Sequence, residues 1–192
     1  MKLNIAIDFR NTYPVENIST DFSVFKFTSF DISGRPVVLH VNILESCNPF
    51  LPGVFNLSFG PLGDDNEIND LAVIKHQDSS KVYSTVLLGV LSFLDINRDR
   101  FVGVDGANLT RAYLYYKLFQ LNHDYLCEYF DVFGVKYYIR LLKAKEKDDL
   151  FVLDYDDLGA SPVKIPKHLS VKWESIFNCF ILRLTSNNDF LT

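Results

Sequence analysis

The sequence predicts an α+β fold, a mostly antiparallel sheet with two helices packed on one face. Three features carry that expectation. The first half reads as strands, with imperfect alternation of apolar side chains over 21–32, a β-rich run at 37–44 and clear alternation at 54–59. After residue 78 the spacing lengthens twice to that of a helix, with short β-rich runs between and beyond. Aromatics are abundant, 17 Phe and 10 Tyr, and the hydrophobic fraction is 48%, so the 192 residues are read as one domain, 1–192, around a sizeable core.

Phe22, Val24, Phe27 and Phe30 sit among Ser, Thr and Lys in residues 21–32, and residues 37–44 form a second β-rich run. Ser33-Gly34-Arg35-Pro36 between them is a tight turn, so the two runs read as a hairpin. Pro49, Pro52 and Gly53 punctuate the chain before an alternating strand at 54–59, and the Gly/Pro/Asp composition of 60–66 makes it a loop. Residues 71–75 are expected to form a short strand. Asp78 or Ser79 can accept the free amide hydrogens of a helix that follows to about Phe93. Apolar residues surround that helix on all sides, so it should be largely buried. An exposed loop at 97–100 leads to a short strand at 101–104.

Asn108 caps the second helix. Leu109, Ala112, Tyr113, Tyr116 and Phe119 or Gln120 form its packing face, and Arg111, Tyr115 and Leu118 fall on another; it ends near Asn122-His123. Strands are expected at 130–133 and 135–142, split by Gly134, and at 150–155. A charged loop at 143–147 and a Pro-rich connector at 159–167 complete this region. The alternation over 176–185 reads as a last strand, with a helix starting near Ser170 as the alternative.

Composition excludes several classes of function. A net charge of −5 argues against non-specific nucleic-acid binding through a basic surface, though not against a small basic site. The longest apolar run, 82–94, is too short and too rich in Ser and Thr to span a bilayer, and the N-terminus lacks the pattern of a signal peptide. Cys47, Cys127 and Cys179 are odd in number and far apart, so no disulfide framework or zinc site is expected, and a cytoplasmic location follows. The histidines (His40, His76, His123, His168) show no HxxxH spacing and no pairing with a nearby Cys. Gly60-x-x-Gly63 lacks the Lys-Ser/Thr of a phosphate loop, and Asp95-Ile96-Asn97-Arg98-Asp99 lacks the Gly and terminal Glu of a calcium loop. No metal and no cofactor is expected. Acid is concentrated at Asp64, Asp65, Glu67 and Asp70, and again at Glu146, Asp148, Asp149, Asp154, Asp156 and Asp157. Such runs are solvated loops or a docking face for a basic partner.

One segment gathers functional side chains. Residues 105–117 run from a strand end through Gly106 into a capped helix, and a helix N-terminus offers free amides and partial positive charge to an anion. Asn108 and Thr110 add hydrogen-bonding groups, Arg111 a planar fork suited to phosphate or carboxylate, and Tyr115 a ring one turn further on. Gly106, Asn108, Thr110, Arg111 and Tyr115 are therefore the candidate anion-binding residues, with His123 as a further candidate for acid–base work. The structural alternative pairs Arg111 with Asp105 and packs Tyr115 against the sheet.

Residues 54–134 carry a resemblance. It rests on Asn56-Leu57-Ser58-Phe59-Gly60, Ile68-Asn69-Asp70-Leu71-Ala72-Val73, Asp78-Ser79-Ser80-Lys81-Val82, Gly106 with Arg111 and Leu114-Tyr115, and Phe130-Asp131-Val132-Phe133-Gly134, with a weaker echo at 172–183. In these the chain resembles a family of small bacterial proteins, found largely in Bacteroidetes and known as a domain of unknown function. The family's helix motif is a Gly-Ser turn, two arginines two positions apart, then Leu-Tyr. Here Ala107 stands for the serine and Tyr113 for the second arginine, so one of the two cations is absent. Residues 143–167 look like an insertion relative to that family. The resemblance brings no activity with it.

Two functions fit the sequence. The first is a small soluble protein-interaction component of toxin–antitoxin, immunity or phage-defence type, with a small basic protein as partner. It rests on the acidic balance and the lack of a catalytic set. The second is a nucleic-acid- or nucleotide-directed protein, in its enzymatic form a metal-independent ribonuclease, using the anion site at 105–117. The sequence favours the first and leaves oligomeric state open.

Overall fold

The computed structural model describes residues 4–46, 48, 50–106, 108–142, 152–167, 176, 177 and 179–185. Among them eight strands form one sheet: β1 (Val15–Glu16), β2 (Val24–Phe30), β3 (Pro36–Glu45), β4 (Val54–Gly60), β5 (Phe101–Asp105), β6 (Phe130–Leu142), β7 (Val152–Lys164) and β8 (Cys179–Leu184). The helices are α1 (Ser79–Ile96), α2 (Leu109–Leu121) and the single turn α3 (His123–Leu126). The sheet order is β1-β2-β3-β4-β5-β8-β6-β7. Every neighbouring pair is antiparallel except β4–β5, which α1 joins as a parallel crossover.

Strand alternation divides the sheet into two faces. Phe25 and Phe27, Leu39, Val41 and Ile43, Leu57, Val102 and Val104, Phe130 and Val132, and Phe180 and Leu182 share one core with Val82, Val86, Val90 and Leu94 of α1 and Tyr115, Tyr116 and Phe119 of α2. Both long helices thus cover one face, as the α+β reading requires. A smaller cluster, Leu51, Val54, Val135, Cys179 and Ile181, lies on the other face under the β3–β4 loop. By length and mean hydropathy, 1.2, α1 is apolar enough to cross a membrane. In the fold it is the core helix, and Asp78 caps it by accepting the Lys81 amide at 2.8 Å.

The N-terminal segment lies across the outside of the helices. Its amides have no strand neighbour and take side-chain acceptors instead. Ala6 and Asp8 donate to the hydroxyls of Ser80 and Ser84, and Tyr13 to that of Thr85. Asn122 Oδ1 accepts from Ile7 N at 2.7 Å, while its Nδ2 donates to the Ile5 and Leu118 carbonyls. This is why α1, apolar all round, carries buried Ser84 and Thr85.

Several sequence expectations change. Residues 71–75 form no strand. They meet the β2–β3 hairpin only through an isolated bridge at His76, and Val73 is 91% exposed with no sheet edge to join. Gly134 does not split β6, which is continuous. The glycine is there because the Phe177 ring occupies the space a Cβ would need. Gly159 to Lys164, read as a connector, belong to β7. Pro162 sits opposite Val135, and β7 is the sheet's last strand, so the missing amide leaves no gap on a further neighbour. Asp154, Asp156 and Asp157 accordingly lie on a strand rather than in a loop. The expectations for the charged loop at 143–147, for Glu146, Asp148, Asp149, Cys47 and His168, and for a helix starting at Ser170 fall outside the described residues.

Candidate functional site

Because β4 and β5 run parallel, their C-terminal ends, Gly60 and Asp105, lie at the same edge of the sheet. The chain enters both α1 and α2 from that edge. In open, mostly parallel α/β sheets ligands bind outside the carboxyl ends of the strands; here one parallel pair presents such an edge. Two glycines draw the surrounding segments together there. A Cβ on Gly60 would run into the backbone oxygen of Asn69, so the acidic loop folds down over the end of β4. A Cβ on Gly106 would stand 2.5 Å from Ala112 N and 2.6 Å from its Cα, so the turn after β5 presses on the first turn of α2.

Asn108 Oδ1 accepts the Arg111 amide at 3.0 Å, and its carbonyl accepts the Ala112 amide at 2.9 Å. The Leu109 and Thr110 amides are left without an acceptor among the described residues, at the positive end of the helix. The half-buried Arg111 reaches back to the loop, where Nη2 makes a long 3.5 Å contact with the Ala72 carbonyl. Tyr115, one turn on, is only 7% exposed. Burial pushes its phenol up to about 12 against the field of Arg111, and the charges of Asp70 and Asp105 add to the rise. Tyr83 of α1 joins the group. Its phenol is raised by burial and by Tyr115, lowered by Arg111, and its ring meets Phe59 edge-on at 5.8 Å. Asp105 is held above the usual carboxylate range by desolvation first and Asp70 second.

The sequence-predicted residues thus separate by role. Gly106 makes the close contact, Asn108 is the cap, Thr110 is exposed, and Arg111 and Tyr115 come together. Arg111 does not pair with Asp105: no carboxylate of a described residue lies within ion-pair distance of it. Tyr115 and Leu118 are buried, whereas Leu109 and Tyr113, expected to pack, are 48% and 40% exposed. The buried stripe of α2 is centred nearer Tyr115 because the sheet and α1 lie on that side. His123 is excluded from the site. It begins α3, about 18 Å along the helix from Arg111. There it has a cysteine neighbour after all, with Cys127 Sγ 3.5 Å from Nε2.

Sequence reasoning did not find Asp70 or Tyr83, which arrive from segments remote from α2. Nor did it find an apolar groove of about 330 Å³ on the opposite sheet face, lined by Phe50, Leu51, Val54, Phe101, Phe133 and Ile181. These residues come from four separate stretches of chain. Neither the curated proteins nor the solved structures gave a match. A family model did, extending the resemblance read on 54–134 to residues 10–153, a span that contains every residue of the site. The chain belongs to that family, a family of unknown function (DUF6934).

Proposed function

We propose that the protein binds a phosphate-bearing ligand, a nucleotide or a nucleic-acid backbone, at Arg111. One observation carries this reading. Of the six arginines whose side chains are described, Arg10, Arg35, Arg98, Arg100 and Arg183 each pair with an aspartate, and Arg111 alone does not. A half-buried planar guanidinium without a counter-charge, beside two open amides, suits the multiply accepting oxygens of phosphate. Turnover, as in a metal-independent ribonuclease, would draw on Asp70 or Asp105 as proton acceptor, since Tyr115 stays protonated at neutral pH. Cys127 and Cys179 are free thiols, which accords with a cytoplasmic setting.

A second reading, the interaction component of toxin–antitoxin, immunity or phage-defence type, has its own support. The exposed Asp64, Asp65, Glu67 and Asp70 surround a concavity of about 460 Å³, and Leu71, next along, is 58% exposed. An acidic surface ending in exposed apolar side chains suits a basic protein partner. Pull-down of the tagged protein from its native host decides between the two. Nucleotide or RNA that co-purifies with the wild type and is lost in Arg111→Ala supports the first. A stoichiometric protein retained equally by Arg111→Ala, without nucleic acid, overturns it in favour of the second.

A further inference from the structure

The apolar groove on the sheet face away from the helices is separate from Arg111 and has a charge pattern of its own. Every described side chain that lines it is apolar, and its volume of about 330 Å³ is that of a small-ligand cleft. The polar groups stand at one end. Strand periodicity puts Arg183 on the same face as Ile181, two residues along β8, and the pairing with β6 sets it opposite Asp131. On the other side of β6, Lys164 of β7 lies opposite Phe133. The Arg183 guanidinium lies over the Phe133 ring, 5.7 Å from its centre, so the cation borders a wall of the groove.

Two cations share one carboxylate there. Lys164 Nζ donates to Asp131 Oδ1 at 2.6 Å, and Arg183 Nη2 donates to Oδ2 at 2.8 Å. The Asp131 side chain is 13% exposed, that of Lys164 62% and that of Arg183 42%, so solvent meets the cations rather than the acid. Arg183 Nε is moreover a buried donor without a partner among the described residues, which an incoming acceptor would satisfy.

We infer that the groove binds a medium-chain fatty acid, with its acyl chain along the apolar walls and its carboxylate at Arg183 and Lys164. Walls without hydrogen-bonding groups suit a chain without polar atoms. The surplus positive charge at one end sets the direction of the chain, and the planar guanidinium fork matches the two oxygens of a carboxylate.

Isothermal titration of the full chain with octanoate, 1-octanol and octylammonium, each below the concentration at which it aggregates, tests this. The three share a chain length and differ in the charge of the head. Octanoate should bind about tenfold tighter than 1-octanol, as a hydrogen bond to a charged group allows, and octylammonium should bind weakest. Added salt should shrink that preference by screening the exposed cations. Arg183→Gln should reduce the preference severalfold and leave 1-octanol binding in place. Lys164→Gln, at a more exposed position where folding is less at risk, should act in the same direction. Phe50→Ser, at a position 38% exposed, should weaken octanoate and 1-octanol alike. Equal affinities for the three amphiphiles, or a preference untouched by both cation variants, overturns the inference. So does octanoate binding that survives Phe50→Ser unchanged or is lost in Arg111→Ala. Failure of octanoate to bind also overturns it, and a dimer that Phe50→Ser dissociates in light scattering would then give the groove to a second copy of the chain.

Discussion

Gly106 has no side chain because Ala112 of α2 occupies the place where one would go. Gly106→Ala should therefore force the turn away from the helix, lowering stability by about 1–3 kcal/mol as overpacking does, with Arg111 displaced from the loop. Urea denaturation reads the first effect and phosphate titration the second; a variant unchanged in both would show that the contact is not tight. The glycine was legible in the sequence as a turn, but its partner was not. Caps were legible, the first as Asp78 or Ser79: Asp78 and Asn108 each accept an amide three residues ahead, a local geometry that residue type and spacing favour. Arg111 and Tyr115 were legible as neighbours one helical turn apart. That one stays unpaired and the other is buried depends on segments far away in sequence.

Elements depend on how neighbours complete them. The outer surface of α1 looks apolar all round in sequence, yet Ser80, Ser84 and Thr85 are acceptors for the amides of the N-terminal segment. Asn122 closes the other side with three hydrogen bonds. Asn122→Ala leaves the Ile7 amide and the Ile5 carbonyl without these bonds inside a buried site and should cost about 1–3 kcal/mol. Hydrogen exchange should then rise first at Ile7, before the core strands, and uniform protection would argue against a segment held by this side chain. Nothing in residues 4–13 marks them in the sequence as packing on helices, since an extended segment without a strand partner has no periodic signature. The same limit explains β7. Gly159 and Pro162 read as loop punctuation, and only a long partner, β6, turns them into an edge strand. The face of α2 was misjudged by about one residue because periodicity gives the existence of a buried stripe but not where its sheet lies.

At the scale of the whole molecule, stability should fall toward acid in two stages. Burial holds His76 below its ordinary 6.5. The Ser19 and Ser23 hydroxyls lower Asp21 to about 2, and Ser33 and Arg35 hold Asp31 far below the usual range. A group whose native pKa is depressed adds stability above its unfolded value and loses it as pH falls through the native one. The urea midpoint should therefore be flat from pH 6.5 to about 8, decline gently below 6.5 as His76 is charged, and drop further below 3.8 as the carboxylates protonate. A midpoint that rises on acidification would refute this assignment of signs.

By itself the sequence determined the α+β class, the two long helices and their caps, the hairpin of β2 and β3, the last strand, and the turn into α2 as the segment to watch. These rest on periodicity, turn chemistry and capping, which act within a few residues. Only the tertiary structure decided the sheet order, the parallel pairing of β4 with β5, and the gathering of Asp70, Tyr83, Asp105, Arg111 and Tyr115 at one edge. Those depend on contacts between residues tens of positions apart, which the packing of one core selects and no local pattern encodes.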